Sequence, residues 1–300
     1  MGDLPKYAFL GWHGWGLEHP SAWELNRVKG NRSTGYLALD DGDQVRLEVS
    51  WRPVKSRITV EAIADRQVKM LETAARRRKI DLEMKRRRRI GRVKGFEYEA
   101  FTWRADVSAC ELVGRCKACS RVVLVRVVGD PDRPPTDEAR RVFSSLACYC
   151  AGDVERWGTF GLDVKVPTRF DLEHSSLRAG LCELTFTDRR VELHVGRAAL
   201  GRVMLEKQKM TAWYETTART LLKPFDVTWV EEPFRGHIGH AGTGELRANR
   251  RLLGFFRADR AFSVHCFYCD VSDKILSVSA EGPGDVRDVV ETVREGLVCH

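Results

Sequence analysis

The chain is 300 residues long, carries 50 Lys and Arg against 42 Asp and Glu, and has a formal charge of +8 with 43% hydrophobic residues. That length suits two domains, each able to bury a real core, and the lack of any apolar run near 18 residues excludes a membrane-spanning helix. Nine cysteines without a secretory leader pattern point to a cytoplasmic chain whose thiols serve metals rather than a disulfide framework.

Taken in chain order, the two halves echo each other. Trp15-Gly-Leu-Glu with Pro20 and Trp23 returns as Phe160-Gly-Leu-Asp with Pro167 and Phe170. Gly35 to Trp51 and Gly180 to Gly196 each alternate apolar and polar residues around an Asp-bearing turn, the pattern of a half-buried β-hairpin. A helical stretch follows in each half, Ile63 to about Ile90 and Ala198 to about Leu222. Then come Gly-Phe-Glu-Tyr at Gly95 and Gly-His-Ile-Gly-His at Gly236, a Cys-x-x-Cys turn leading into a strand (Cys116 and Cys266), and a closing helix ending at Cys150 or His300. The order predicts an α+β chain of two tandem duplicated domains, residues 1–151 and 152–300, each a mainly antiparallel sheet with packed helices. This layout resembles the Mog1/PsbP-type α/β sandwich, and the resemblance implies a binding or assembly scaffold rather than one fixed chemistry.

The halves differ most in the stretch 66–94. It holds thirteen Lys and Arg against Glu72, Asp81 and Glu83, so the basic character of the chain belongs to this one segment. Val68, Leu71, Ala75 and Leu82 recur at helical spacing, which predicts a long basic helix over 66–94 with a narrow apolar stripe. Arg76, Arg77, Arg78, Lys79, Lys85, Arg86, Arg87, Arg88, Arg89, Arg92 and Lys94 are the candidate polyanion contacts. Arginine predominates, and its planar fork suits phosphate better than lysine does. No helix-turn-helix or zinc-finger helix spacing accompanies them, so phosphate and shape recognition of structured RNA, ribosomal RNA included, is the expected use, with DNA second.

Cys116, Cys119, Cys148 and Cys150 in the first half are matched by Cys266, Cys269, Cys299 and His300 in the second at nearly the same spacing. Four soft ligands per half, two from a Cys-x-x-Cys turn, suit structural zinc in closed tetrahedra, Cys₄ and Cys₃His. Disulfides or inert buried thiols are the other reading of the same residues. Cys110 and Cys182 have no echo and read as core cysteines. His237 and His240, three apart in a glycine-rich stretch, read as part of a turn rather than as ligands.

No Walker loop, GxSxG elbow, HExxH or GxGxxG signature is present, so the expectation is a non-catalytic protein. Three uses remain: an RNA-binding protein with zinc-stabilised repeats, an interaction scaffold that docks an acidic protein partner through the same cations and through aromatics such as Trp51, Trp103 and Trp229, or an enzyme acting on RNA through a site without a known motif.

Overall fold

The structure, a computed structural model, describes residues 6–55, 57–178, 180–247 and 260–300. Its contacts divide the chain into two compact units that succeed one another between Thr159 and Phe160. Helices and strands are mixed in both, and every pairing among the described strands is antiparallel.

The first unit contains strands β1 (Tyr7–Trp12), β2 (Trp15–Pro20), β3 (Glu24–Gly30), β4 (Gly35–Asp40), β5 (Val45–Pro53), β6 (Glu83–Lys85), β7 (Phe96–Arg104), β8 (Ser108–Cys116), β9 (Arg121–Gly129), β10 (Ala147–Cys148) and β11 (Val154–Thr159), with helices α1 (Val60–Arg78) and α2 (Thr136–Ser145). Seven strands form one sheet in the order β3-β4-β5-β9-β8-β7-β6, and a smaller one runs β10-β2-β1-β11. The alternation seen in the sequence becomes the β4–β5 hairpin: Leu47, Val49 and Trp51 are buried while Glu48 and Ser50 between them are not. Its turn is closed by the Asp41 carboxylate, which accepts from the Gln44 and Asp43 N–H groups and from Arg46. Those donors, Gln44 first and then Arg46, pull the Asp41 pKa down to about 2.

Helix α1 starts on Thr59, whose hydroxyl caps the Ala62 N–H. It lays Val60, Ile63, Ala64 and Val68 on Phe101, Val113 and Val122 of the sheet. The long helix expected over 66–94 does not form. The helix stops at Arg78, Lys79 turns left-handed at φ 56°, and the N–H groups of Lys79 and Ile80 close back on Arg76 O and Ala75 O. The apolar spacing explains the stop. Past Leu71 the helical stripe has little left to bury, and Ile80, Leu82 and Met84 recur every second residue, a strand period that leads into β6. The arginines of the second run, Arg86–Arg89, follow β6 as chain that returns along β7, with Arg88 N–H on Ala100 O.

The second unit contains β12 (Leu162–Pro167), β13 (Asp171–Leu177), β14 (Leu181–Thr187), β15 (Glu192–Ala199), β16 (Phe225–Glu231), β17 (Ile238–Leu246), β18 (Arg260–Cys269) and β19 (Lys274–Pro283). Its helices are α3 (Gly201–Lys207), α4 (Met210–Thr217), α5 (Arg219–Leu222) and α6 (Arg287–Glu295). Its seven-stranded sheet has the order β13-β14-β15-β19-β18-β17-β16. The single helix expected over Ala198–Leu222 is three short ones, interrupted where Gln208 is extended and again at Ala218. Met210, Trp213 and Tyr214 of α4 bury one face of the sheet against Phe262, Val264 and Cys266. Helix α6 packs on β18, β19 and β12. Among the described residues no helix is long and apolar enough to cross a membrane.

Candidate metal centres

Each unit gathers four ligand side chains at the turn of one hairpin. In the first, Cys116 ends β8 and Cys119 lies in the turn to β9, where Ser120 N–H bonds Cys116 O and Ser120 is left-handed. Cys148 and Cys150 arrive from the segment after α2, which is held by the β10–β2 pairing of Cys148 with Trp15 and by Tyr149 N–H on Gly14 O. The four Sγ atoms all lie within 4.8 Å of one another. Cys116–Cys150 and Cys119–Cys148 stand 3.7 and 3.8 Å apart. A tetrahedron of sulfurs about 2.3 Å from a central zinc has edges of about 3.8 Å, whereas a disulfide needs about 2.05 Å. All the cysteines are free.

Charge fits a cation there. Burial opposes ionisation of Cys116, but the Cys119 and Ala118 N–H groups outweigh it and draw that thiol below its usual range. Burial pushes Cys148 and Cys150 up instead. Four facing thiols cannot all ionise unaided, and a divalent cation removes that obstacle. Arg121, the first residue of β9, donates towards Cys148 Sγ at 3.7 Å and to His13 O at 2.6 Å.

The second centre is not the set expected. His237, Cys269, Cys299 and His300 come together, with ligand atoms within 4.8 Å of one another. Cys266 is excluded by strand geometry. β18 continues through Cys269, so residues three apart point to opposite faces. Cys266 therefore lies in the core under α4, fully buried, and burial raises its pKa to about 12. Cys110 and Cys182 are buried thiols of the same kind, pushed up to about 11 and about 12.

The register shows why a histidine takes the vacated place. In the first unit Phe96 pairs with Cys116. In the second Ile238 pairs with Tyr268, and His237, just before β17 and bridged to Phe234, joins Cys269 in the cluster. Cys269 ends its strand as Cys116 does, so the two Cys-x-x-Cys motifs are offset by three residues. His237 Nε2 is 3.6 Å from Cys299 Sγ, and His300 Nδ1 is 3.3 Å from both Cys269 and Cys299 Sγ. A zinc with about 2.3 Å bonds to sulfur and about 2.05 Å to nitrogen has S···N edges of about 3.6 Å. His237 Nδ1 lies 3.2 Å from Asp270 Oδ1, an arrangement that keeps the proton on Nδ1 and turns the Nε2 lone pair to the cluster. Lys274 opens β19 as Arg121 opens β9, and it donates to Gly161 O. His240 is not in the cluster. The sequence signal for His237 was its place beside Gly236 at the start of a strand, which spacing alone did not separate from a turn.

The eleven cationic candidates are all exposed. Arg76, Arg77, Arg78 and Lys79 cluster at the end of α1, where the helix dipole favours positive charge. Lys85 ends the edge strand β6, and Arg86 pairs with Asp65 near the start of α1. The two arginine runs therefore flank α1 towards opposite ends, about 20 Å apart at about 1.5 Å per residue. Among the described residues Arg86 is the only one of the eleven in an ion pair.

No family model matches the chain, and no curated protein matches it. Among solved structures, the crystal structure of an N-terminal dehydratase from the difficidin assembly line is similar at 10% identity, covering 84% of this chain and 98% of that one with a TM-score of 0.15. At that score the likeness bears on neither fold nor chemistry.

Proposed function

We propose that the protein is a non-catalytic binder of structured RNA whose two repeats are each fastened by a structural zinc ion. The observation that carries the RNA part is the set of eleven exposed cations, of which ten have no acidic partner within ion-pair distance among the described residues. Cations that offset no charge of their own fold are available to phosphates. Their division between the end of α1 and the chain after β6 suits a folded polyanion that touches two places, rather than one continuous groove-filling helix.

The zinc part rests on ligand chemistry: four sulfurs in one centre, two sulfurs and two imidazole nitrogens in the other, with no position left for water or substrate. When bound, the metal supplies cross-linking, and the chain's own residues do the orienting. The reading as a duplicated sandwich of the Mog1/PsbP kind is supported by the shared sheet order of the two units, three strands on one side of the last hairpin strand and three on the other.

The test is fluorescence anisotropy of the full chain with a labelled, structured RNA at about 50 and 200 mM salt. With six to ten phosphates contacted, affinity falls about 10³–10⁵-fold between those salts. Replacing Arg76, Arg77, Arg78, Arg86, Arg87, Arg88 and Arg89 by Gln abolishes binding while the metal content stays unchanged. Unaltered binding by that variant refutes the assignment. No binding at low salt transfers the cations to an acidic protein partner.

A further inference from the structure

The two centres differ in how far solvent reaches their ligands and in how those ligands pair. In the first, Cys119 and Cys150 are exposed, Cys148 is half-buried and Cys116 is buried. The short approaches join one of each kind: Cys119 to Cys148 at 3.8 Å and Cys150 to Cys116 at 3.7 Å. Both exposed cysteines sit in turns, Cys119 between β8 and β9 and Cys150 just past β10. Both of their partners are the last residues of strands, Cys116 of β8 and Cys148 of β10. Each pair therefore sets a reachable sulfur on a turn against a sheltered one on a strand. Closing either pair to the roughly 2.05 Å of a disulfide takes less than about 2 Å of movement, which falls to the turn.

The second centre lacks this arrangement. Cys269 and Cys299 are both buried, and its one exposed ligand is the His300 imidazole. Each of those sulfurs has His300 Nδ1 at 3.3 Å, and two sulfurs allow one bridge at most.

We propose that the first centre is a site of reversible oxidation, at which hydrogen peroxide converts four thiols into two disulfides, Cys119–Cys148 and Cys116–Cys150, and the site gives up its metal while the second centre is spared. The exposed sulfur of a pair attacks one peroxide oxygen. The O–O bond breaks, the sulfur becomes a sulfenic acid and the other oxygen leaves as water. The sheltered sulfur then attacks the sulfenic sulfur, the S–O bond breaks, the S–S bond forms and a second water leaves. Each bridge gives two electrons to one peroxide, and the protons come from the two thiols or, where a metal held thiolates, from solvent. Exposure together with a neighbouring resolving sulfur is what directs this chemistry to one cysteine over another.

The pairing has a structural result. Both bridges join the β8–β9 hairpin to the segment after α2, so oxidation keeps that fastening in covalent form. A bridge inside either motif, Cys116–Cys119 or Cys148–Cys150, leaves the two segments unjoined. The inference rests on the zinc reading only for the metal's release; the bridges rest on the thiols alone.

The experiment treats the reduced full chain, freed of reductant, with about a tenfold excess of hydrogen peroxide, following metal with a chromophoric chelator and thiols by alkylation. Digestion after Lys117 and after Tyr149 separates all four cysteines, and mass spectrometry assigns the bridges. One metal per chain is released and the other retained, four of the nine thiols are lost, and the bridges are Cys119–Cys148 and Cys116–Cys150. Cys269 and Cys299 react at least about tenfold more slowly. Dithiothreitol with added zinc restores the starting state. Bridges within either motif, sulfinic acid in place of bridges, loss of Cys269 or Cys299 in step with the first centre, or nine unchanged thiols each overturn the proposal. A preparation without metal at the outset refutes the zinc reading instead, and the bridge map of that same sample then decides this one.

Discussion

The register of β18 makes the second metal centre a sharp place to test the structure. His237→Ala removes an imidazole whose Nε2 stands 3.6 Å from Cys299 Sγ, whereas Cys266→Ala removes a sulfur on the opposite face of the sheet. A structural zinc contributes about 12 kcal/mol to its domain, and an equal share among four ligands makes one worth roughly 3 kcal/mol, about a hundredfold in affinity. His237→Ala therefore retains one metal per chain tightly and yields the other to a chromophoric chelator at about a hundredfold lower concentration. Cys266→Ala keeps both metals and instead loses about 1–2 kcal/mol of stability from the cavity left in the core. The assay is elemental analysis together with chelator competition on purified full-length variants. Loss of a metal from Cys266→Ala, with His237→Ala unaffected, refutes the register and restores the ligand set written from cysteine spacing.

Other expectations rest on groups elsewhere in the fold. Asp270→Asn leaves His237 in place but weakens its hold on the Nδ1 proton, so chelator competition shows an affinity loss of about 10–100-fold at one of the two sites. Glu111 is 2% exposed and accepts from Arg126 and Trp103. Glu111→Gln leaves Arg126 with Glu48 alone and lowers stability by about 2–4 kcal/mol, read from the urea midpoint; a shift under about 0.5 kcal/mol contradicts the network. Burial lowers the His19 pKa to about 4, against a backbone contact to Pro20 that raises it. A depressed folded-state pKa means the unfolded chain takes up the proton first as pH falls from about 6.5 to about 4. Stability is present in full above that window and lost through it, by on the order of 3 kcal/mol. The difference between wild-type and His19→Asn pH profiles isolates this change, since acid release of metal is common to both; superimposable profiles refute it.

The hairpins and the metal-bearing turns were legible because each is written in local chemistry. Leu47, Val49 and Trp51 alternate with polar residues, and Cys116 with Cys119 spans a turn that needs no long-range partner. The basic helix was misjudged because helical spacing was carried through Leu82. The switch to every-second-residue spacing at Ile80, Leu82 and Met84 was present in the sequence, but the surrounding arginines fit a helix and an exposed edge strand equally well. Cys266 misled for a different reason. Matching motifs implied matching positions, yet the strand that carries Cys266 runs three residues further before it turns. His237 comes to Cys269 across the sheet from 32 positions away, which leaves no mark on local composition.

The ligands of each centre also set an order of events during synthesis. The first set is complete once Cys150 has emerged, so a metal can clasp the β8–β9 hairpin to the segment after α2 while the second half is still unmade. The second set draws on residues from His237 to His300, and half of it is Cys299 and His300. Until those emerge, His237 and Cys269 offer only two ligands. If both centres take metal as proposed, capture can begin at the first centre before the ligands of the second are all made.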